Sequence, residues 1–276
     1  MKKILWLFGC LAFLTSAQAQ LKTPAPSPTQ TLKQDFGLGS IEINYSRPAV
    51  KGRKVFGDLV PYGAIWRTGA NNATTLQFSD EVSIGGVTLA PGKYGLLSMP
   101  DKDKWTLIIS KQTDVTSPSA YKPEMDLVRV TASVEKLKYT VENFTIAIND
   151  IKPNSCQLSL SWDKTQVNLP ITTDIDSKIM SNIAKVMQGE KPPYYNAAMY
   201  YMDNGKDLNQ ALAWFDKAIE ATPGAYWVHH QRANCLAKLG KSAEARAAAE
   251  KSKELALAAK NMDYVKLNEK LLAELK

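Results

Sequence analysis

Histidine is nearly missing from this chain: there are two in 276 residues, His229 and His230. Neighbours on a helix diverge by about 100°, so this pair cannot share one ligand. No cysteine, aspartate or glutamate flanks them at metal-ligand spacing, and H-E-x-x-H is absent. No metal centre and no cofactor is therefore expected. Both histidines lie in the last third of the chain, so a Ser–His–Asp or Cys–His site among the N-terminal strands is not expected either. Cysteine is almost as scarce, at three residues, which excludes a disulfide framework. Glycine and proline, at 15 and 14, are too few for a collagen-like or low-complexity chain. No stretch after the N-terminus reaches the roughly 20 apolar residues of a transmembrane helix.

The first segment reads as a signal for export. Lys2 and Lys3 precede an apolar run over residues 4–14, and Ala17-Gln18-Ala19 supplies small residues for cleavage. Residues 1–19 are thus expected to be a cleaved signal peptide, with the mature protein periplasmic or extracellular. A lipoprotein signal ending at Cys10 is the rival, but only about six apolar residues precede that cysteine, against the usual 7–15. Removing residues 1–19 takes away two lysines and no acid, so 34 − 2 − 27 gives +5. That mild excess suits anionic glycans, lipid head groups or nucleic acid equally and selects none. Lys51-Gly52-Arg53-Lys54 reads as a solvated turn. Nothing resembles a nucleic-acid module, so no nucleic-acid partner is expected. The remaining cysteines, Cys156 and Cys235, fall on core-facing positions and are expected as buried free thiols.

After a Pro/Ser/Thr-rich arm at 20–28, residues 29–172 alternate with period two. Ile41, Ile43 and Tyr45 interleave with Glu42, Asn44 and Ser46. Leu76 and Phe78, then Val128 to Val134, then Phe144 to Ile148, repeat the pattern. Such alternation sets one face of each strand on a core. Gly85-Gly86 between two short apolar runs signals a tight hairpin. Many short antiparallel strands without intervening helices predict an all-β, jelly-roll-like sandwich of eight to ten strands.

From residue 173 the period becomes helical. Thr173-Asp174-Ile175-Asp176 offers an N-cap with an acidic first turn, followed by Ile175, Ile179, Ile183 and Val186 at helical spacing. The stretch 173–276 is expected to be all-α. Within it, Gly205-Lys206 to Ala211 is echoed by Gly240-Lys241 to Ala245, 34 residues later, which is the tetratricopeptide period. Phe215, Ala218 and Pro223 complete the pattern in the first copy; the second is degenerate. Two such repeats are fewer than the roughly three that stand alone. They are expected to lean on the helix at 173–189 or on the sandwich.

The β-rich part resembles the secreted family called domain of unknown function 2911, over about residues 27–171. The resemblance rests on Tyr45-Ser46-Arg47-Pro48, on Lys51-Gly52-Arg53 with Phe56 to Gly63, and on Trp66-Arg67-Thr68-Gly69-Ala70-Asn71. Ile84-Gly85-Gly86, Pro91 to Leu96 and Trp105 to Ile108 add to it. It implies secretion and a β-rich fold, and no established activity. The tail resembles tetratricopeptide pairs, which usually bind peptides or proteins.

Two groups of residues could carry function. Arg47 and Arg67 share parity with inward-facing neighbours, and an unpaired guanidinium near a core is costly. Their partners are either Glu42, Asp58 or Asp80, in a tied-down corner, or a bound carboxylate, sulfate or phosphate. Arg53, Thr68, Asn71 and Asn72 would supply further donors, and Trp66 and Tyr62 would stack on a ring. Paired carboxylates for glycoside hydrolysis are available only at turns, where Asp is common for local reasons. In the tail, Tyr194, Tyr200, Tyr201, Tyr226 and Trp227 either pack between helices or line a partner-binding groove. The sequence thus reads as an exported, non-enzymatic binding or interaction protein. The alternatives are a binder or hydrolase of an anionic glycan or other small anion, and a cell-envelope assembly factor.

Overall fold

A computed structural model describes residues 23–275. The signal peptide expected at 1–19 and the first residues of the arm lie outside the described residues. The chain divides into two compact units, one ending at Ile175 and the other beginning at Asp176.

The first unit holds ten strands: β1 (Thr29–Phe36), β2 (Gly39–Ser46), β3 (Thr75–Phe78), β4 (Val82–Ile84), β5 (Val87–Leu89), β6 (Gly92–Met99), β7 (Lys104–Ser110), β8 (Asp126–Ser133), β9 (Glu135–Lys152) and β10 (Ser155–Thr172). They form a six-stranded sheet in the order β1-β2-β3-β6-β7-β8 and a four-stranded sheet in the order β5-β4-β10-β9. Every strand pairing is antiparallel. The inward sets read from the alternation (Ile41, Ile43 and Tyr45; Leu76 and Phe78; Phe144, Ile146 and Ile148) are buried in one core shared by both sheets. Gly85 and Gly86, at φ 58° and 80°, make the tight turn that brings Ile84 opposite Val87.

The expectation of uniformly short strands is corrected at the end of the unit. β9 and β10 are each 18 residues long and reverse at Pro153-Asn154. Register shifts near Gln157, Asp163 and Thr165 interrupt the ladder, and Asp163 sits at φ 52°. These bulges break the alternation in the sequence, so one long bent ribbon reads as several pieces.

The second unit holds α1 (Ile175–Val186), α2 (Tyr194–Asp203), α3 (Leu208–Ala221), α4 (Tyr226–Lys238), α5 (Ser242–Ala258) and α6 (Met262–Glu274). Asp207 caps α3 by accepting from the Asn209 N–H, and Asn261 caps α6. Ala198, Ala211, Phe215 and Val228 tie α2, α3 and α4 together. Ala233, Ala245, Ala249 and Leu271 tie α4, α5 and α6. α6 thus supplies a third layer behind the repeats, and among the described residues α1 enters neither of these two apolar clusters. Its link to α2 is polar: Asp176 accepts from Tyr200 Oη and pairs with Lys206 Nζ, both at 2.7 Å. The Lys206 and Tyr200 hydrogen bonds hold the Asp176 carboxyl below its usual range. A carboxyl with a lowered folded pKa stabilises above its unfolded pKa, and that support fades as pH falls through the folded value.

A buried polar chain locks α4, α5 and α6. Asn268 Nδ2 donates to Ser252 Oγ at 2.8 Å and to the Tyr264 carbonyl at 2.7 Å. Its Oδ1 accepts from His230 Nδ1 at 2.8 Å, and Ser252 Oγ donates to the Tyr226 carbonyl at 2.7 Å. Asn268→Ala strands two buried polar groups and is expected to cost about 2–3 kcal/mol. Urea denaturation followed by far-ultraviolet circular dichroism checks this; an unchanged midpoint would contradict it.

Candidate functional site

The loop between Trp66 and Thr74 is pinned from several sides. Trp66 and Ser98 exchange backbone hydrogen bonds at 2.8 and 2.9 Å, and Trp66 Nε1 donates to the Gly69 carbonyl at 2.9 Å. Thr68 is fully buried at φ 55°, a conformation that costs a β-branched residue about 1–3 kcal/mol. It is held there by Ser98 Oγ at 2.9 Å and by Thr74 Oγ1, which donates to the Thr68 carbonyl at 2.7 Å. Gly69 allows close approach: a Cβ there would lie 3.1 Å from the Ser46 carbonyl oxygen. Asn71 Nδ2 donates to the Ser27 carbonyl at 3.1 Å, so the end of the arm is tied down.

The turn of backbone at Thr68 sets Trp66 and Arg67 at the wall of a cleft of about 330 Å³. Pro48, Leu59, Ile65, Trp66 and Trp162 make its apolar sides, and Arg53 and Arg67 bring positive charge to it. Ser27 and Ser117 are the hydroxyl residues among the described lining, which contains no carboxylate. Trp66 stacks on Trp162 with ring centroids 5.8 Å apart and 17° between planes. Phe56, Trp105 and Phe144 pack edge-on around this pair. Arg53 donates from Nε to the Val50 carbonyl and from Nη2 to the Ala49 carbonyl, at 3.1 and 2.6 Å. Arg67 donates from Nη1 to the Thr116 carbonyl, while its buried Nε has no hydrogen-bond partner.

Three of the six residues named for this site therefore meet in the cleft: Arg53, Trp66 and Arg67. The other three are placed elsewhere. Arg47 donates to the Phe144 carbonyl and to Thr145 Oγ1, at 3.0 and 2.8 Å. The Thr68 hydroxyl is taken up by Ser98 Oγ of β6, and Asn71 serves the arm. The partners of Arg47 and Arg67 are carbonyls and a hydroxyl rather than Glu42, Asp58 or Asp80. Tyr62 rests its ring against Gly57, where a Cβ would come within 2.5 Å of Cε2, and lies outside the cleft. Trp162 and Pro48 were missed as cleft residues. The inward parity of Trp162 with Cys156, Leu158 and Leu160 was legible, but its meeting with Trp66 is a long-range contact.

In the helical unit a second groove, about 290 Å³, is lined by Pro192, Pro193, Tyr194, Tyr195, Trp227 and Val228, among others. Of the aromatic residues named for partner binding, Tyr194 and Trp227 line it. Tyr200 is bonded to Asp176, Tyr201 packs edge-on against Trp214 at 4.6 Å, and Tyr226 packs against Tyr264 and accepts from Asn261 Nδ2. Tyr195 lines the groove and sits edge-on to Phe215, with its hydroxyl pKa raised by burial.

His230 is buried on Asn268, and His229 donates from Nε2 to the Pro223 carbonyl, so the two serve different surroundings. Cys156 and Cys235 are buried free thiols. Burial pushes Cys156 up to about 11 and also raises Cys235, so neither is a thiolate at neutral pH.

The family model described as Protein of unknown function (DUF2911) matches residues 27–171, just over half of the chain. Two Tetratricopeptide repeat models match residues 192–224 and 214–247. No curated protein and no solved structure matches the chain.

Proposed function

Because the chain belongs to the Protein of unknown function (DUF2911) family and continues into tetratricopeptide repeats, we propose that it is an exported, non-enzymatic interaction protein whose helical unit docks an extended segment of a partner protein. The observation that carries this reading is the groove where Pro192, Pro193, Tyr194, Tyr195 and Trp227 converge. Aromatic and proline walls favour an extended, apolar peptide, since they offer large flat surfaces at little entropic cost. Trp227 is 39% exposed, so its ring is available to a partner without unfolding the helix. Export is supported by the basic start, apolar run and small-residue cleavage site of residues 1–19.

A random peptide library displayed on phage and selected on the full chain tests the reading. Selected peptides are expected to bind Trp227→Ala at least tenfold more weakly than the unaltered protein, as for an aromatic residue central to an interface. Peptides that bind both proteins equally, or a selection that enriches nothing, would contradict it. The mature protein recovered from its host is expected to begin near Gln20; an intact Met1 would remove export from the account.

A further inference from the structure

The cleft of the β unit points to a function independent of the helical groove. We propose that it is a binding site for a small carboxylate with an apolar body, laid against the Trp66–Trp162 stack and the side chains of Pro48, Leu59 and Ile65 and anchored by Arg53 and Arg67. Its volume, about 330 Å³, lies at the lower end of ligand pockets and fits a single ring or a short hydrocarbon chain.

The walls choose the body. Pro48, Leu59, Ile65, Trp66 and Trp162 present hydrocarbon and aromatic faces, while Ser27 and Ser117 are the neutral polar side chains at hand. A sugar would bring several hydroxyls, and each one buried without a partner costs about 1–3 kcal/mol. The lining therefore favours an apolar acid over the anionic glycan that the sequence left open.

The charges choose the head group. Arg53 and Arg67 reach the cleft, and among the described residues neither is paired with a carboxylate. Arg53 is already oriented by its bonds to the Val50 and Ala49 carbonyls, which leaves Nη1 to bind. Arg67 is oriented by Thr116, and its buried Nε lacks a partner. Two guanidinium forks fixed in advance match a planar carboxylate and lose little entropy on binding it. A phosphate would call for more donors, and no lysine is among the described lining. The strained backbone at Thr68, next to Arg67 in the chain, is the second sign, since such strain gathers at ligand sites.

Isothermal titration of the full chain tests the site with 3-phenylpropionate, its neutral amide, galacturonate and inorganic phosphate. The acid is expected to bind with a Kd between about 10 µM and 1 mM, and the amide at least tenfold more weakly. Galacturonate and phosphate should not bind in that range. Arg53→Gln and Arg67→Gln should each weaken the acid at least tenfold while the melting temperature shifts by less than about 3 °C. Should Arg67→Gln fail to fold, Leu59→Glu replaces it: Leu59 is 43% exposed, so the change spares the core and places a like charge in the cleft. It too should weaken the acid at least tenfold. Equal affinity for acid and amide, preference for galacturonate or phosphate, no heat from the acid up to about 10 mM, or unchanged binding in Arg53→Gln and Leu59→Glu would each overturn the assignment.

Discussion

Gly95→Ala is expected to leave the β unit unable to fold. Gly95 lies in β6 between β3 and β7, paired with Thr75 and Ser110. A Cβ there would come 2.0 Å from the carbonyl oxygen of Gln112, a backbone atom with no rotamer to adopt. Gln112 is itself fixed: its N–H donates to Ser110 Oγ and its amide side chain bonds to the Ala120 carbonyl. Relief would require parting β6 from the segment that follows β7, at a cost above about 4 kcal/mol, in the range of exceptional single substitutions. The expected result is insoluble protein, or a chain whose β signal in circular dichroism is lost while helical signal remains. A soluble Gly95→Ala protein melting within a few degrees of the original would show that the two segments separate easily.

Trp162→Ala should be the next most damaging change, at about 3–5 kcal/mol. Trp162 is 2% exposed, and Trp66, Phe56 and Phe144 all pack on its ring. Its Nε1 donates to the Glu142 carbonyl, which falls free when the indole goes. For a unit of this size the melting temperature should fall by roughly 10 °C or more. Because the same indole walls the cleft, binding of 3-phenylpropionate should disappear with it. Trp162→Phe keeps an aromatic wall and should recover part of both. A Trp162→Ala protein of unchanged stability would mean that this aromatic cluster is not a cooperative unit.

The alternation of Ile41, Ile43 and Tyr45 and of Phe144, Ile146 and Ile148 was enough to place both sheets against one core, because burial on a pleated strand follows parity alone. The repeat from Ala211 to Ala245 was equally plain, since small residues must recur wherever paired helices approach. What the sequence hid has physical causes. The bulges around Asp163 cut the alternation of β10, so the 18-residue ribbon did not show as one strand. α6 lies outside the repeat pattern, so its role as the third layer depends on Asn268 and Leu271 meeting α4 and α5. At the site, parity said that Arg47 faces inward but not that the carbonyl of Phe144 waits for it. Thr68 and Asn71 looked like free donors because nothing local shows that Ser98, Thr74 and Ser27 occupy them. Arg53, Trp66 and Arg67 were legible as candidates; Trp162, which stacks on Trp66, came from nearly a hundred residues away.

Hydrogen exchange by mass spectrometry on the full chain tests most directly whether each unit carries its own proposed binding site. With 3-phenylpropionate, peptides spanning 48–71 and 115–120 should gain protection, while 192–228 stays unchanged. With a phage-selected peptide, 192–228 should gain protection and the cleft segments should not. Protection that spreads evenly over the chain, or that appears in the opposite unit for either probe, would contradict the account.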